Sequence, residues 1–512
     1  MTDSEQQIED ITLAINANAV RVRLGFDDPQ LLIERAYVDG RWVDAHEALA
    51  VNDPATGKLI GHVPACDVET VRQAIDAAVA AQKEWAALLP QERQQALLRW
   101  HEQIIRHKDD LATIMTLEQG KPYDASLGEI DYGASFIEWF AAEAVRLNGD
   151  TMPSHIAGRQ LMTVREPLGV VALVTPWNFP NAMLTRKAGA ALAAGCSVVA
   201  HPSSETPFSA LALAELAQRA GLPSGLFNVV TGSGRKIVAE FCANKKVRGL
   251  SFTGSTEVGS AILRQSAETV QKCCMELGGH APFIGFGDVP VQTLVEAAIK
   301  AKFETSGQDC LAANRILIHE SIYEAFLAGY SEAVRKLVVG NGFDQGVQIG
   351  PLQNERQVAK AEEHSDDAVD NGARLLCGGK RHALGGLFFE PTVVADITAN
   401  MKIWREETFG PVAGISSFSS EDEVVAAAND TDYGLAAYVF SNDLGTCLRM
   451  SRALEYGMVA VNSVKLTGPP IPFGGVKQSG LGREGSVHGT DEFTELKYIC
   501  LNTGSKSSRD TI

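Results

Sequence analysis

The sequence is short of positive charge. Its 45 lysines and arginines stand against 63 aspartates and glutamates, a formal net charge of −18. That balance argues against a nucleic-acid groove or an anionic membrane surface as the main partner, since both need clustered cations. The nine cysteines contain no C-x-x-C pair, so the ligand spacing of a structural zinc site is missing and no metal is expected. An odd number without paired spacing fits reduced thiols in a cytoplasmic chain rather than a disulfide framework. No apolar run is long enough to span a bilayer. The acidic, polar start of the chain lacks the basic-then-apolar pattern of a secretory signal. Short internal repeats and low-complexity stretches are also missing.

The chain has 512 residues, 45% of them hydrophobic, more than one core supports, so two or three domains are expected. Residues 1–30 are polar and read as a peripheral extension. Residues 36–43 alternate around Asp39-Gly40 as a hairpin does, and Asp53 to Gly57 makes a second turn. Val71, Ala74, Ile75, Ala78 and Val79 recur at helical spacing up to Trp85. A helical region is predicted over 91–119, broken at Gly120-Lys121-Pro122, and another over 130–145.

From residue 167 the pattern changes. Apolar runs at 169–174, 197–200, 227–230 and 249–252 read as buried parallel strands. A helix of small residues is predicted over 182–194, stopped by Gly195, and Thr206-Pro207 opens another as cap and first residue. Strand–helix alternation of this kind predicts a doubly wound sheet that binds ligands at its carboxyl edge. The alternation restarts near residue 280, with strands at 281–286, 315–318, 412–415, 437–440 and 458–461. Two outlying segments, 146–166 and 491–500, are extended and could pair into an arm.

Five stretches carry chemistry. Cys310 follows a Gly307-Gln308-Asp309 turn on a loop between packed elements, where an exposed thiol can meet a ligand. Asn178, in Pro176-Trp177-Asn178-Phe179-Pro180, follows a buried strand and can aim an amide at a developing oxyanion. Phe252-Thr253-Gly254-Ser255 runs from strand into helix, where backbone N–H groups can hold a pyrophosphate, although it departs from G-x-G-x-x-G. Glu276 ends a strand beside Gly278-Gly279, which permits close backbone approach. Glu407 and Phe409 could meet a ribose and a flat ring. Taken singly, each has an ordinary structural explanation.

Together and in this order, with Pro472-Phe473-Gly474-Gly475, these motifs resemble those of the NAD(P)-dependent aldehyde dehydrogenases over roughly residues 35–500. Residues 378–382, 479–485 and 496–500 are similar to the succinate-semialdehyde dehydrogenase branch. The resemblance implies an α/β fold with three parts. A Rossmann-like cofactor domain would take residues 31–145 and 167–279, and an α/β catalytic domain residues 280–480. A small β oligomerisation arm would take 146–166 and 490–502 and join the chain into a homodimer or homotetramer.

The resemblance also implies roles. Cys310 would attack an aldehyde, Asn178 and the Cys310 N–H would hold the oxyanion, and Glu276 would activate the water that releases a carboxylic acid. Trp177, Gly254, Ser255, Glu407 and Phe409 would line the site of NAD or NADP. His201 stands where relatives usually carry a lysine at the adenosine ribose. Ser204 stands where NAD-preferring members often place a glutamate, so the choice between NAD and NADP stays open. Ala312 replaces a second cysteine that forms a redox bridge in some relatives, so no such switch is expected. Arg186 matches one arginine of a grip on a distal carboxylate, as in succinate semialdehyde, and Thr467 would substitute for the hydroxyl of that grip. Glu304 replaces the second arginine of that grip, and Asp309 replaces a threonine. Those acids suit the alternative, an ω-aminoaldehyde or another aldehyde without a carboxylate. A catalytically idle binding protein on the same fold would be marked by loss of Cys310, Glu276 or Asn178, and all three are present.

Overall fold

Val170–Val174 and Ala281–Gly285 are apolar on both faces, Ser197–His201 is apolar between its end residues, and all three are buried along their whole length. Such strands require helices over both sides of their sheet. The computed structural model describes residues 25–504. Most of the extension expected over residues 1–30 lies outside that range.

An eight-stranded sheet runs in the order Gly480–Leu481, Lys272–Glu276, Val247–Thr253, Val170–Val174, Ser197–His201, Phe227–Val229, Ala36–Val38, Arg41–Val43. Its inner strands are parallel and its edge strands antiparallel. The helix Ala182–Ala194, buried throughout, packs beneath it, ended by Gly195 in the left-handed conformation. The indoles of Trp85 and Trp100 are fully buried, donating to the carbonyls of Leu192 and Leu213 at 2.8 and 3.2 Å. Each such ring stabilises the fold by roughly 2–3 kcal/mol.

The second sheet has seven strands, ordered Arg374–Cys377, Thr392–Ala395, Val412–Phe418, Ala313–His319, Ala281–Gly285, Ala436–Phe440, Met458–Val461. All neighbours are parallel except the first pair. In the arm, Thr494–Asn502 pairs antiparallel with the whole of Arg159–Pro167, and Thr151–Met152 adds a third strand. The two outlying segments therefore do pair.

The chain crosses between the sheets late. After Met458–Val461 it returns to add Gly480–Leu481 to the first sheet, and Ser479 sits at the crossing, fully buried. Its hydroxyl donates to the Gly278 carbonyl at 2.7 Å and accepts from the Gly434 N–H at 2.9 Å.

Three expectations are corrected. The helical region over 91–119 is two helices, Pro90–Arg106 and Lys108–Gln119, hinged at His107, whose ring is 2.9 Å from the Gln103 carbonyl. The next helix starts at Tyr123, directly after Pro122 fixes the turn, not near residue 130. Thr206 does not cap the helix Pro207–Arg219, and its hydroxyl has no partner. That helix start is buried, and the carboxylate of Glu118 accepts from the N–H groups of Phe208 and Ser209, both at 2.8 Å. A buried helix end needs an acceptor for its free N–H groups, and a neighbouring helix supplies it.

Candidate active site

Beyond the helix Val291–Phe303, the backbone enters the left-handed region three times running, at Thr305 (φ 48°), Ser306 (φ 58°) and Gly307 (φ 72°). For residues with side chains this costs about 1–3 kcal/mol each and persists only where neighbours enforce it. Here Gln308 does so. Its N–H donates to the Thr305 carbonyl at 3.0 Å, and its Oε1 accepts from the Gln353 N–H at 2.9 Å. A side chain at Gly307 would collide with the carbonyl of Gly410.

This loop delivers Cys310 into the cleft between the sheets. The thiol is not exposed as expected from its place on a loop; Cys310 is only 7% accessible. The loop is folded down against Gly279, where a Cβ would strike the Cys310 carbonyl, and is tied by the Tyr438 hydroxyl to the Leu311 carbonyl at 2.9 Å. Burial, reinforced by the negative charges of Glu276, Asp309 and Glu407, pushes the thiol well above its ordinary pKa.

Glu276 ends its strand at the carboxyl edge of the first sheet, in register with Thr253. It is 2% accessible, and neither carboxylate oxygen has a conventional donor among the described residues. The Cys310 thiol lies within side-chain reach of both Glu276 and Asp309. Burial, then repulsion from Glu484, raises the Glu276 carboxyl to about 8, against the pull of Arg186 and Lys187. Such a group can take a proton near neutrality. Asn178, 3% accessible, donates through Nδ2 to the Gln308 carbonyl at 3.0 Å and leaves Oδ1 without a partner. Its second amide hydrogen remains for another acceptor. No described residue accepts from the Cys310 N–H. The arrangement unites a buried thiol, an unpartnered carboxylate and two free N–H donors.

Two charged networks behind these groups were missed in the sequence. Lys121, fully buried, is ion-paired with Glu129 and donates to the Asn178 carbonyl at 2.8 Å. The other oxygen of Glu129 accepts from the N–H groups of Asn181 and Ala182 at 3.0 and 3.1 Å, fixing the turn that carries Asn178. Glu484 binds both Arg186, at 2.7 Å, and Lys187, whose ammonium also donates to the Ser251 hydroxyl at 3.0 Å. A lone lysine or glutamate in a sequence reads as solvated, and only the spacing of the surrounding apolar residues hints otherwise.

The cofactor candidates gather at the carboxyl edge of the first sheet. Ser255 caps the helix Thr256–Ser266, its hydroxyl accepting from the Val258 N–H, and Gly254 donates to the Glu276 carbonyl at 3.1 Å. Glu407 accepts from the Gly279 N–H at 2.9 Å, and a Cβ on Gly278 would come within 3.0 Å of its other oxygen. Phe409, at φ 54°, stands edge-on to Trp177 with ring centroids 5.4 Å apart. His201 is buried, its Nδ1 3.0 Å from the Val230 carbonyl, and burial lowers its pKa against the pull of that carbonyl. Ser204, by contrast, is exposed. An anion-seeking helix start, a glycine cradle and a ribose-sized acid fit a dinucleotide.

The substrate candidates divide into two groups. Arg186 is 1% accessible, stacked 4.2 Å over Phe473 and 3.5 Å from the Tyr132 hydroxyl, which also lies beside Thr467. Glu304 and Asp309 lie on the nucleophile's own loop. Asp309 accepts from the Leu311 N–H at 3.0 Å, while Glu304 reaches solvent.

Residues 42–499 match the model of the aldehyde dehydrogenase family. The chain is 55% identical over 476 residues to an aspartate-semialdehyde dehydrogenase (non-phosphorylating) of Halomonas elongata, covering 93% of this chain and 97% of that protein. It is 50% identical over 477 residues to an NADP-linked succinate-semialdehyde dehydrogenase of Escherichia coli, covering 93% and 99%. The crystal structure of a succinate-semialdehyde dehydrogenase from Burkholderia pseudomallei superposes with a TM-score of 0.93 at 50% identity, over 93% of this chain and all of that one. With a Rossmann-type sheet, a second α/β domain, a small β arm and a buried thiol where they meet, the chain belongs to the aldehyde dehydrogenase family and is an NAD(P)-dependent enzyme.

Proposed function

We propose that the protein oxidises a small semialdehyde, an aldehyde with a distal carboxylate such as succinate semialdehyde, to the corresponding acid. The observation that carries the reading is Glu276, a buried carboxylate with both oxygens lacking a conventional donor, beside the Cys310 thiol. Glu276 takes the thiol proton, and the thiolate adds to the aldehyde carbon to give a thiohemiacetal. The Asn178 amide and the Cys310 N–H stabilise its oxyanion, a contribution of about 3–4 kcal/mol per donor to the barrier. NAD or NADP, when bound by Ser255, Gly254, Glu407, Phe409 and Trp177, supplies a positive charge and a hydride acceptor. Once it has passed the thiol proton to solvent, Glu276 draws a proton from water, whose oxygen adds to the carbonyl of the thioester on Cys310; the C–S bond breaks, the thiolate leaves and the acid is freed.

The anionic tail is supported by Arg186 and Thr467 and by the semialdehyde substrates in the names of the relatives above. Serine at position 204 leaves room for a ribose phosphate, so NADP is admitted as well as NAD. All nine cysteines are free, which supports a reducing, cytoplasmic setting. No helix among the described residues is long and apolar enough to cross a membrane. Leu496, Tyr498 and Leu501 are exposed on the arm and support assembly through that strand into a dimer or tetramer.

The test is Cys310→Ser, followed by the near-ultraviolet absorbance of reduced nicotinamide with succinate semialdehyde and either cofactor. The rate should fall by about a thousandfold or more. A variant as fast as the parent would overturn the reading.

A further inference from the structure

The order of the strands sets the direction in which a dinucleotide lies. In chain order the central strands of the first sheet are Val170–Val174, Ser197–His201, Phe227–Val229, Val247–Thr253 and Lys272–Glu276, and in space they run third, second, first, fourth, fifth. Ligands of such a sheet lie across the carboxyl ends of the strands where that order reverses. The nicotinamide end belongs with Cys310, whose carbonyl packs on Gly279 just past the fifth strand. The phosphates belong with the helix start at Ser255, after the fourth. The adenosine is left to the second strand, which ends in His201, in register with Val174 of the first.

His201 is 5% accessible, and its two ring nitrogens have different tasks. Nδ1 is 3.0 Å from the Val230 carbonyl, which can only accept, so Nδ1 carries the hydrogen. Burial works against a second proton on the ring. Nε2 is then a bare lone pair, and no described residue donates to it. It is aimed at the start of the helix Gly234–Ala243, where a Cβ on Gly234 would come within 3.3 Å of Nε2. Glycine at that position keeps the space before the ring clear. The strand and the loop after it bring no cation, since no lysine or arginine stands between Ser197 and Gln218. The loop instead carries Glu205, held by the Asn354 amide at 2.6 Å. The helix start, Arg235 and Lys236 would attract a phosphate, but residues 233–236 are exposed, and water and salt screen such attraction.

We infer that His201 selects NAD over NADP, its Nε2 accepting a hydrogen from an adenosine ribose hydroxyl and opposing a 2′-phosphate. This rests on the NAD(P)-dependent reading above and narrows it. NAD presents a hydroxyl hydrogen at the 2′ position, whereas NADP presents only acceptor oxygens and negative charge. In the NADP complex a buried acceptor stays without a donor, and its desolvation goes uncompensated. The room left by Ser204 lets a phosphate enter without attracting it.

The experiment measures binding without turnover, by isothermal titration calorimetry of the full chain with NAD and NADP and with their adenosine halves, AMP and adenosine 2′,5′-bisphosphate. Wild type should bind NAD about tenfold or more tighter than NADP, and AMP tighter than the bisphosphate by a similar factor. His201→Lys puts a charged donor in place of the acceptor and should reverse both ratios. His201→Gln, which can accept or donate, should bring both towards one. Because each ratio is taken within one variant, a general loss of binding does not mimic the effect. A wild type that binds NADP as tightly as NAD, or ratios unchanged in His201→Lys and His201→Gln, overturns the role of His201 while leaving aldehyde oxidation in place. Failure of the wild type to bind either dinucleotide overturns the cofactor site as a whole.

Discussion

The ammonium of Lys121 donates to the backbone carbonyl of Asn178 at 2.8 Å while ion-paired, out of water, with Glu129. Lys121 thus positions the amide without meeting the substrate. Lys121→Met should remove the tether and leave Glu129 a buried, unpaired acid, costing about 3–5 kcal/mol of stability. A shift of the amide should lower kcat by up to about a hundredfold while KM for the aldehyde changes less. Thermal denaturation and steady-state kinetics check both, and Lys121→Arg should recover part of the loss. A variant with parental kcat would show that the tether is only structural.

Glu276 sets the pH dependence. With its carboxyl at about 8, kcat/KM should rise with pH through that value as the proton leaves. Glu276→Gln should remove that inflection and leave acyl-enzyme that hydrolyses slowly, seen as a burst followed by a slow phase. The stability effect has the opposite slope. The folded-state pKa is raised, so the contribution is complete below the ordinary glutamate value and is lost as pH climbs to about 8. Glu276→Gln should therefore unfold at a higher temperature than the parent at pH near 8 and lose that advantage towards pH near 5. Parallel melting curves over that span would contradict the assignment.

Glu484 raises the Glu276 pKa, whereas Arg186 and Lys187 lower it. Glu484→Gln exposes Glu276 to two unneutralised cations, so the inflection in kcat/KM should move to lower pH by about one unit or more. The melting temperature should fall as well, because two buried cations lose their partner. An inflection that stays in place would mean that Glu276 does not feel this cluster.

Gly279 lies where a side chain would strike the Cys310 carbonyl. Gly279→Ala should push the loop outward and lower kcat by about a hundredfold or more. The alkylation rate of Cys310 by iodoacetamide should rise as the thiol becomes more accessible. Unchanged rates of both would show that the loop yields without moving the sulfur.

Leu496 and Tyr498 are exposed on the arm strand. Replacing both with aspartate should reduce the mass measured by sedimentation, since like charges would meet across the proposed contact. A species of unchanged mass would place the contact elsewhere.

How much of this was legible in the sequence follows from the range of the interactions. The strands Val170–Val174 and Ser197–His201 are continuous apolar runs ended by breakers, so local pattern located them within a residue or so. The motifs around Cys310, Glu276 and Asn178 were readable because they combine turn residues with chemistry at fixed short spacing. Lys187 and Glu484 were not, for they meet across 297 residues of sequence and neither has a local signature. Glu118 likewise caps a helix 90 residues away, which made Thr206 the obvious but mistaken cap. The burial of Cys310 was hidden for the same reason: its cover is Tyr438, from another strand, and Gly279, from the link between Lys272–Glu276 and Ala281–Gly285.

The Ser479 hydroxyl bridges Gly278 and Gly434, and the chain around it feeds the edge of the dinucleotide-side sheet. The two lobes are consequently laced together rather than hinged like jaws. A cut anywhere near the lace should therefore slacken both lobes at once.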